Sequence, residues 1–429
     1  MANAETYGGI VDSHSALEER WPALSLVGAP AVLFLALKPV VDAFYAIEWV
    51  RVVYSLCLLV FIVFATIAIS GPLPQTSRRG NLLTLAAVLL AYGLLLISKN
   101  GVSALSVGEY AKILSPFAIY LLLSRRISTG YSVVLMLSAA VTLIGAAVLM
   151  PFEFGWQTWG FTRTFVGWYY FKTDVAFAAV TSLLMIALYR RFVFDLWVAL
   201  AAVTTVAIVV GANARLNYVT LGLVLSFILI KSRPDFVALA KVVTSAGVAS
   251  LLAFVAYDHE SALGLFEGIT ELESYTQGRA EIWEILISMG LAHFDLNAWL
   301  FGSGFGADVD LTMRFASGPE AYTAHNELLY LVLTQGLVGC VLYICAWGLL
   351  VRDATRYQWP PFLSGVVPLA VSVLVVQSLT ANVSPFTTKT WPIVFIAFLA
   401  TSLAFPTRIT PESRAITQVN RADSPSQQA

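Results

Sequence analysis

The chain has 429 residues, 58% of them hydrophobic and only 12% charged, with a mean hydropathy of +0.78 and a formal net charge of −1. A soluble chain carries about twice that share of charge, so a water-soluble globular domain is excluded, and no nucleic-acid partner is expected of so balanced a charge. The three cysteines, Cys57, Cys340 and Cys345, stand in apolar runs without disulfide or metal-ligand spacing and read as core residues.

The first twenty or so positions are polar and acidic, the wrong start for a cleaved signal peptide, so residues 1–22 read as a cytoplasmic tail and the first span doubles as the insertion signal. Apolar runs of about 20 residues then recur, which predicts an all-α, polytopic membrane protein of about 12 transmembrane helices. They fall at 23–42, 50–70, 81–98, 106–124, 131–150, 174–190, 195–212, 215–231, 236–257, 326–350, 361–381 and 391–405. The run from Leu196 to Ile230 is too long for one helix across about 30 Å of hydrocarbon. The turn residues between Gly211 and Asn217 split it into a hairpin.

Pairs of bases mark alternate loops: Arg78 and Arg79, Arg125 and Arg126, Arg190 and Arg191, Lys231 and Arg233, Arg352 and Arg356. These all fall on one side if both termini are cytoplasmic. Loops 43–49, 99–105, 151–173, 211–217, 258–325 and 382–390 then face outward. The chain is expected to form one transmembrane domain over 23–405, with the large loop 258–325 between helices 9 and 10 and a disordered cytoplasmic tail at 406–429.

Two outward loops are long enough to hold a site. The loop from Pro151 to Thr173 is aromatic, with Trp156, Trp159, Trp168, Tyr169 and Tyr170, as expected of side chains at a membrane interface or of sugar-stacking platforms. The stretch from Asp258 to Tyr322 has eleven acids and only two bases, Arg279 and Arg314. From Arg279 to Leu291 its apolar residues are spaced as on an amphipathic helix.

The outward face collects a sparse cationic set, Arg163, Lys172, Arg215 and Arg279, with Lys99, Lys112, Arg314 and Lys389 as further members. Ionisable groups at span ends are functional candidates, and converging guanidinium forks suit a phosphate or pyrophosphate. His325 directly precedes an apolar helix, with Thr323 as the expected N-cap. The positive end of that helix would hold the imidazole neutral and able to act as a base.

His325-Asn326, nine residues, and Gly336-Leu337 follow the pattern H-N-x9-G-L. Gly278-Arg279 with Ile282-Trp283 follows G-R-x-x-I-W, and Gly302, Gly304 and Gly306 follow G-x-G-x-G. In this order the three motifs resemble the bacterial O-antigen ligase and polymerase superfamily. Ala214-Arg215 is similar to the S-R that opens that family's eighth span, and Lys172 matches the middle of its H-K-N. The resemblance implies an inner-membrane glycosyltransferase that is inverting, independent of metal and free of other cofactors. Its donor would be a glycan on undecaprenyl pyrophosphate, its acceptor another glycan or lipid A-core, and its active site periplasmic. Other polysaccharide-assembly proteins are further partners to be expected.

Carried over by position, His325 would be the catalytic residue. Arg215 and Arg279 would clamp the pyrophosphate, with Lys172 and Arg163 as further anion contacts and Asn326 beside the acceptor. Trp283 departs from the R-x3-L pattern of the ligases, and the loop is strongly acidic. Both departures favour a polymerase of exopolysaccharide or O-antigen repeats over a ligase acting on lipid A-core. A transporter of a small anion or lipid-linked glycan is the reading from another class, because outward cations in a helical bundle serve it equally well.

Overall fold

The computed structural model describes residues 77–101, 103–125, 129–159, 162–232, 279–315, 323–355 and 362–404, with a few positions between 47 and 60. Both tails, the expected spans at 23–42 and 236–257, most of the span at 50–70 and the first part of the long loop lie outside the described residues. What is described is mostly helical.

In chain order come α1 (Ser77–Asn100), α2 (Ala104–Arg125) and α3 (Thr129–Leu149). A hairpin of β1 (Trp156–Trp159) and β2 (Thr162–Phe165) follows, then α4 (Lys172–Tyr189), α5 (Leu196–Ala212) and α6 (Arg215–Ser232). The long loop contributes α7 (Arg279–Ile285), α8 (Leu296–Phe301) and α9 (Ala307–Phe315). The chain closes with α10 (Glu327–Thr355), α11 (Val366–Ser378) and α12 (Thr387–Ala404). Each expected span in the described regions coincides with one of these helices, apart from shifts of a few residues at the ends. Among the described residues, four helices are long and apolar enough to cross a membrane: α3, α4, α6 and α10.

Burial divides the helices. α4 is buried on all sides from Asp174 to Leu188, packs against α3, α5, α6 and α12, and is the hub of the bundle. α3 instead exposes Leu137, Val141, Ile144 and Val148, a stripe at helical spacing. α10 does the same with Leu337, Val341 and Ile344. Continuous apolar stripes on the outer face of a bundle are what lipid tails cover.

The α5–α6 break falls at Asn213, in the left-handed conformation (φ 46°), and the helical hairpin forms as expected. The β1–β2 hairpin was not expected. Its register pairs Trp156 with Phe165 and Trp159 with Thr162. The Trp156 ring meets Phe165 at 5.3 Å, and its indole N–H donates to the Met150 carbonyl at 2.9 Å. Part of the aromatic loop is therefore buried structure rather than an interface belt.

The expected helix over 279–291 is also shorter. α7 ends at Ile285 and widens into a five-residue π turn, Leu286–Gly290. Ile282, Ile285 and Leu286 face inward, but the wider turn carries Ile287 and Met289 out to the surface.

The loop docks on α10 through two glycines. Gly336 (φ 69°) breaks the helical path of α10, and Gly302 (φ 72°) ends α8 against it. The carbonyls of Leu333 and Thr334 accept the N–H groups of Ser303 (2.7 Å) and Gly304 (3.1 Å). A Cβ on Gly302 would lie 2.5 Å from the Thr334 carbonyl, and one on Gly336 would overlap the Leu300–Phe301 backbone. Two glycines that stand 34 positions apart in the sequence thus form one backbone-to-backbone contact.

Candidate active site

His325 lies in the short link between the loop and α10, in the left-handed conformation (φ 47°). For a residue with a Cβ this costs about 1–2 kcal/mol, so the neighbours must hold it. Ala324, just before it, is pinned on both sides: its N–H donates to Asp308 Oδ2 at 2.9 Å, and its carbonyl accepts the Trp283 indole N–H at 2.9 Å. Asn326, just after it, donates from its backbone to Asn382 Oδ1 at 3.0 Å and from Nδ2 to the Leu379 carbonyl at 3.1 Å. Its Oδ1 accepts from Leu329 N–H at 3.1 Å. Asn326, not Thr323, is therefore the N-cap of α10. Its side chain is engaged in the fold.

Glu327 extends the same clamp. Its Oε2 accepts the backbone N–H groups of Val383 and of Ser384, the latter at 3.0 Å. The break between α11 and α12 and the entry to α10 thus lock together around the histidine.

Basic side chains form a coupled series that reaches that turn through Arg279 and Lys389. Lys172 lies within Coulombic reach of Arg279 and Arg215, and Lys389 of Arg279 and Asp174. His325 feels both Arg279 and Lys389. Lys389 Nζ stands 3.7 Å from Asp174 Oδ1, and both side chains are buried. Among the described residues no carboxylate pairs with Arg279 or Lys172 within ion-pair distance. Burial, first, and then the charges of Arg279 and Lys389 hold the His325 imidazole down to about 4. Burial also pulls the Arg279 guanidinium below its ordinary value.

These cations stand at the wrong ends of their helices. Lys172 and Arg215 open α4 and α6, and Lys389 lies in the first turn of α12. The helix dipole is already positive there, and cations are favoured at the opposite end. Charges stacked against several helix dipoles favour an anion beside them.

Arg163 is held differently. It lies on β2, 3.8 Å from Glu153 and 5.8 Å from the centre of the Trp156 ring. Asp308 is buried against Ala324 N–H, while Asp310, two residues on, is exposed. Burial pushes the Asp308 carboxyl up. Among the described residues no group of three or more His, Cys, Asp or Glu is placed to hold a metal.

Sequence reasoning passed over Asp174, Glu327 and Asn382, and placed Lys389 only in the wider cationic set. Signals existed. Glu327 is an acid at the head of an apolar helix, and Asn382 lies in a polar break between two spans.

Fold and site together define an α-helical membrane protein with an anion-attracting turn at the junction of loop and bundle. The family model described as O-antigen ligase matches residues 200–344, and over that stretch the chain is similar to the O-antigen ligase family. The match contains Arg215, Arg279, His325 and Asn326, together with the Gly302–Gly336 contact; Lys172, Asp174 and Lys389 lie outside it. Comparison with curated proteins gave no match.

Proposed function

We propose that this protein is a periplasmic-face glycosyltransferase that polymerises glycan repeats carried on undecaprenyl pyrophosphate. The observation that carries the reading is that Arg279 and Lys389 act on a neutral, buried His325, while Lys172 couples Arg279 to Arg215. A pyrophosphate is the anion that fits such a site, and it is already a good leaving group. As the C1–O bond breaks, negative charge grows on the departing phosphate oxygen, and preorganised cations stabilise it. The acceptor hydroxyl attacks C1 from the opposite face, giving inversion, and its proton passes to His325. A positioned base of this kind contributes roughly 10²–10⁴ in rate. No step requires a metal. Arg163, held on β2 by Glu153 and the Trp156 ring, is a further anion contact on the resemblance alone, and Asn326 acts by holding the histidine turn.

The preference for a polymerase over a ligase rests on the acidity of the loop beside the site, which repels phosphorylated lipid A-core. Trp283, where ligases place leucine, has a role of its own in this chain as the donor to Ala324.

The test is chain-length profiling of surface glycans in cells expressing His325→Ala or Arg279→Ala at wild-type level. Loss of long chains, with single repeats still reaching lipid A-core, is expected. Loss of every lipid A-core-linked glycan, with polymer left on the carrier lipid, would assign a ligase. Unchanged glycans in both variants would remove the catalytic reading and bring a transporter forward.

A further inference from the structure

One end of the long loop is seated deeper than the ends of the helices around it. α10 has 29 residues and, at about 1.5 Å each, is about 43 Å long. About 20 residues cross a hydrocarbon core of about 30 Å. Counted back from Arg352, in the last turn of α10, they place the boundary on the His325 side near Val332. Gly336 then lies about 6 Å inside it. α1 gives a second measure. Tyr92 stands about 10 Å before Lys99, which is in the last turn of that helix. The Tyr92 hydroxyl donates to the Gln335 carbonyl, next to Gly336, so the two helices agree in level.

Phe301, the last residue of α8, packs at this depth. Its ring centre is 6.5 Å from that of Tyr92 and 5.5 Å from the Lys99 ammonium. The backbone of Leu300 and Phe301 abuts Gly336. A backbone that enters hydrocarbon must satisfy its polar groups within the protein. The turn after α8 meets that condition: Gly302 N–H donates to the Ala298 carbonyl at 2.7 Å, and Ser303 and Gly304 donate to α10.

The side chains of α8 suit the same depth. Leu296 is 76% exposed and Leu300 36%, four positions apart on one face of the helix. Leu337, beside Gly336, is 44% exposed and continues that face into the stripe of Val341 and Ile344. A six-residue helix spans about 9 Å. α8 thus reaches back to the headgroup level, where its exposed cap, Asp295, keeps polar surroundings.

We propose that α8 and the glycine turn after it form a re-entrant element, with the face of Leu296 and Leu300 against phospholipid acyl chains. Lipid is the occupant because the face continues a stripe that a membrane-spanning helix turns to lipid. The bilayer then holds the deep end of the loop, whichever reaction the site performs.

The test uses the full chain in lipid nanodiscs. With the wild-type protein, a phosphatidylcholine carrying a diazirine on its acyl chain should leave photo-adducts within 296–301 as well as within 337–344. Adducts on α10 with none at 296–301 would overturn the proposal. Nitroxide labels at Leu296→Cys and Leu300→Cys, in a chain with Cys57, Cys340 and Cys345 replaced by alanine, give a second reading. Both labels should collide with oxygen and not with a water-soluble nickel chelate, as a label at Val341→Cys does. The label at 300 should read deeper than that at 296, by up to about 6 Å. Glu284→Cys, exposed on α7, is the aqueous control. Chelate access at both positions would put the face in water. Exclusion of both reagents would put protein over it, and spin–spin broadening would identify that protein as a second copy. Each of these three outcomes overturns the proposal.

Discussion

A histidine held down to about 4 is neutral at neutral pH but is a weak base in the empty enzyme. Part of that depression comes from Arg279 and Lys389, whose charge a bound pyrophosphate would cancel. Donor binding should therefore raise the imidazole and strengthen the base when it is needed. The acid limb of kcat/KM, which reports the free enzyme, is expected near pH 4, and the limb of kcat, which reports the complex, at higher pH. Coincident limbs near 6.5 in both profiles would contradict this. Stability runs the same way. The unfolded chain takes up this proton near 6.5 and the folded one only near 4, so stability present above about pH 6.5 is lost as pH falls toward 4. His325→Gln should flatten that part of the thermal-stability profile. The sequence displayed His325, Arg215, Arg279 and Lys172 because charged residues are conspicuous against apolar spans. It did not display that Asn326 is consumed by capping, nor that Asp174 and Lys389 meet, because such pairings depend on how distant spans are seated.

At the scale of elements, the motifs act as clamps as much as chemistry. The G-x-G turn and the glycine of H-N-x9-G-L are two halves of one contact, and Trp283 and Asp308 pin the residue before the histidine. Gly336→Ala combines a positive φ with a steric overlap and should destabilise by about 2 kcal/mol or more, with loss of activity through the displaced loop. Gly348→Ala, where an added methyl meets nothing within 4 Å, is the matched control. Melting in detergent compares them, and equal Tm values would show that the contact is dispensable. The α5–α6 hairpin was legible because Asn213 is a turn residue inside an overlong run. The β1–β2 hairpin was hidden because four-residue strands in an aromatic loop carry too little alternation to separate from an interface belt.

Among the described residues of the whole molecule, helices were legible because a lipid environment demands long apolar runs, and their ends differ from the expected spans by only a few residues. Which helix is the hub was not legible. α4 is less apolar than α3 and α5, and only packing reveals that it is buried all round. The spacing between His325 and Gly336 has a consequence of another kind. Each residue of α10 turns the chain by about 100° and advances it about 1.5 Å, so the nine residues between Asn326 and Gly336 act as an angular vernier. They set the direction in which the imidazole faces, relative to a glycine that is fixed to the loop. One alanine inserted after Val332 would swing the entry to α10 by about 100° and carry His325 off the cation cluster. A seven-residue insertion would restore the direction to within about 20° yet displace the histidine by about 10 Å. Both insertions should abolish polymer formation in cells at normal expression, whereas the same single alanine placed after Gly348, beyond the contact, should be better tolerated. Activity surviving the insertion after Val332 would mean that the turn is held from α11 and α12 alone.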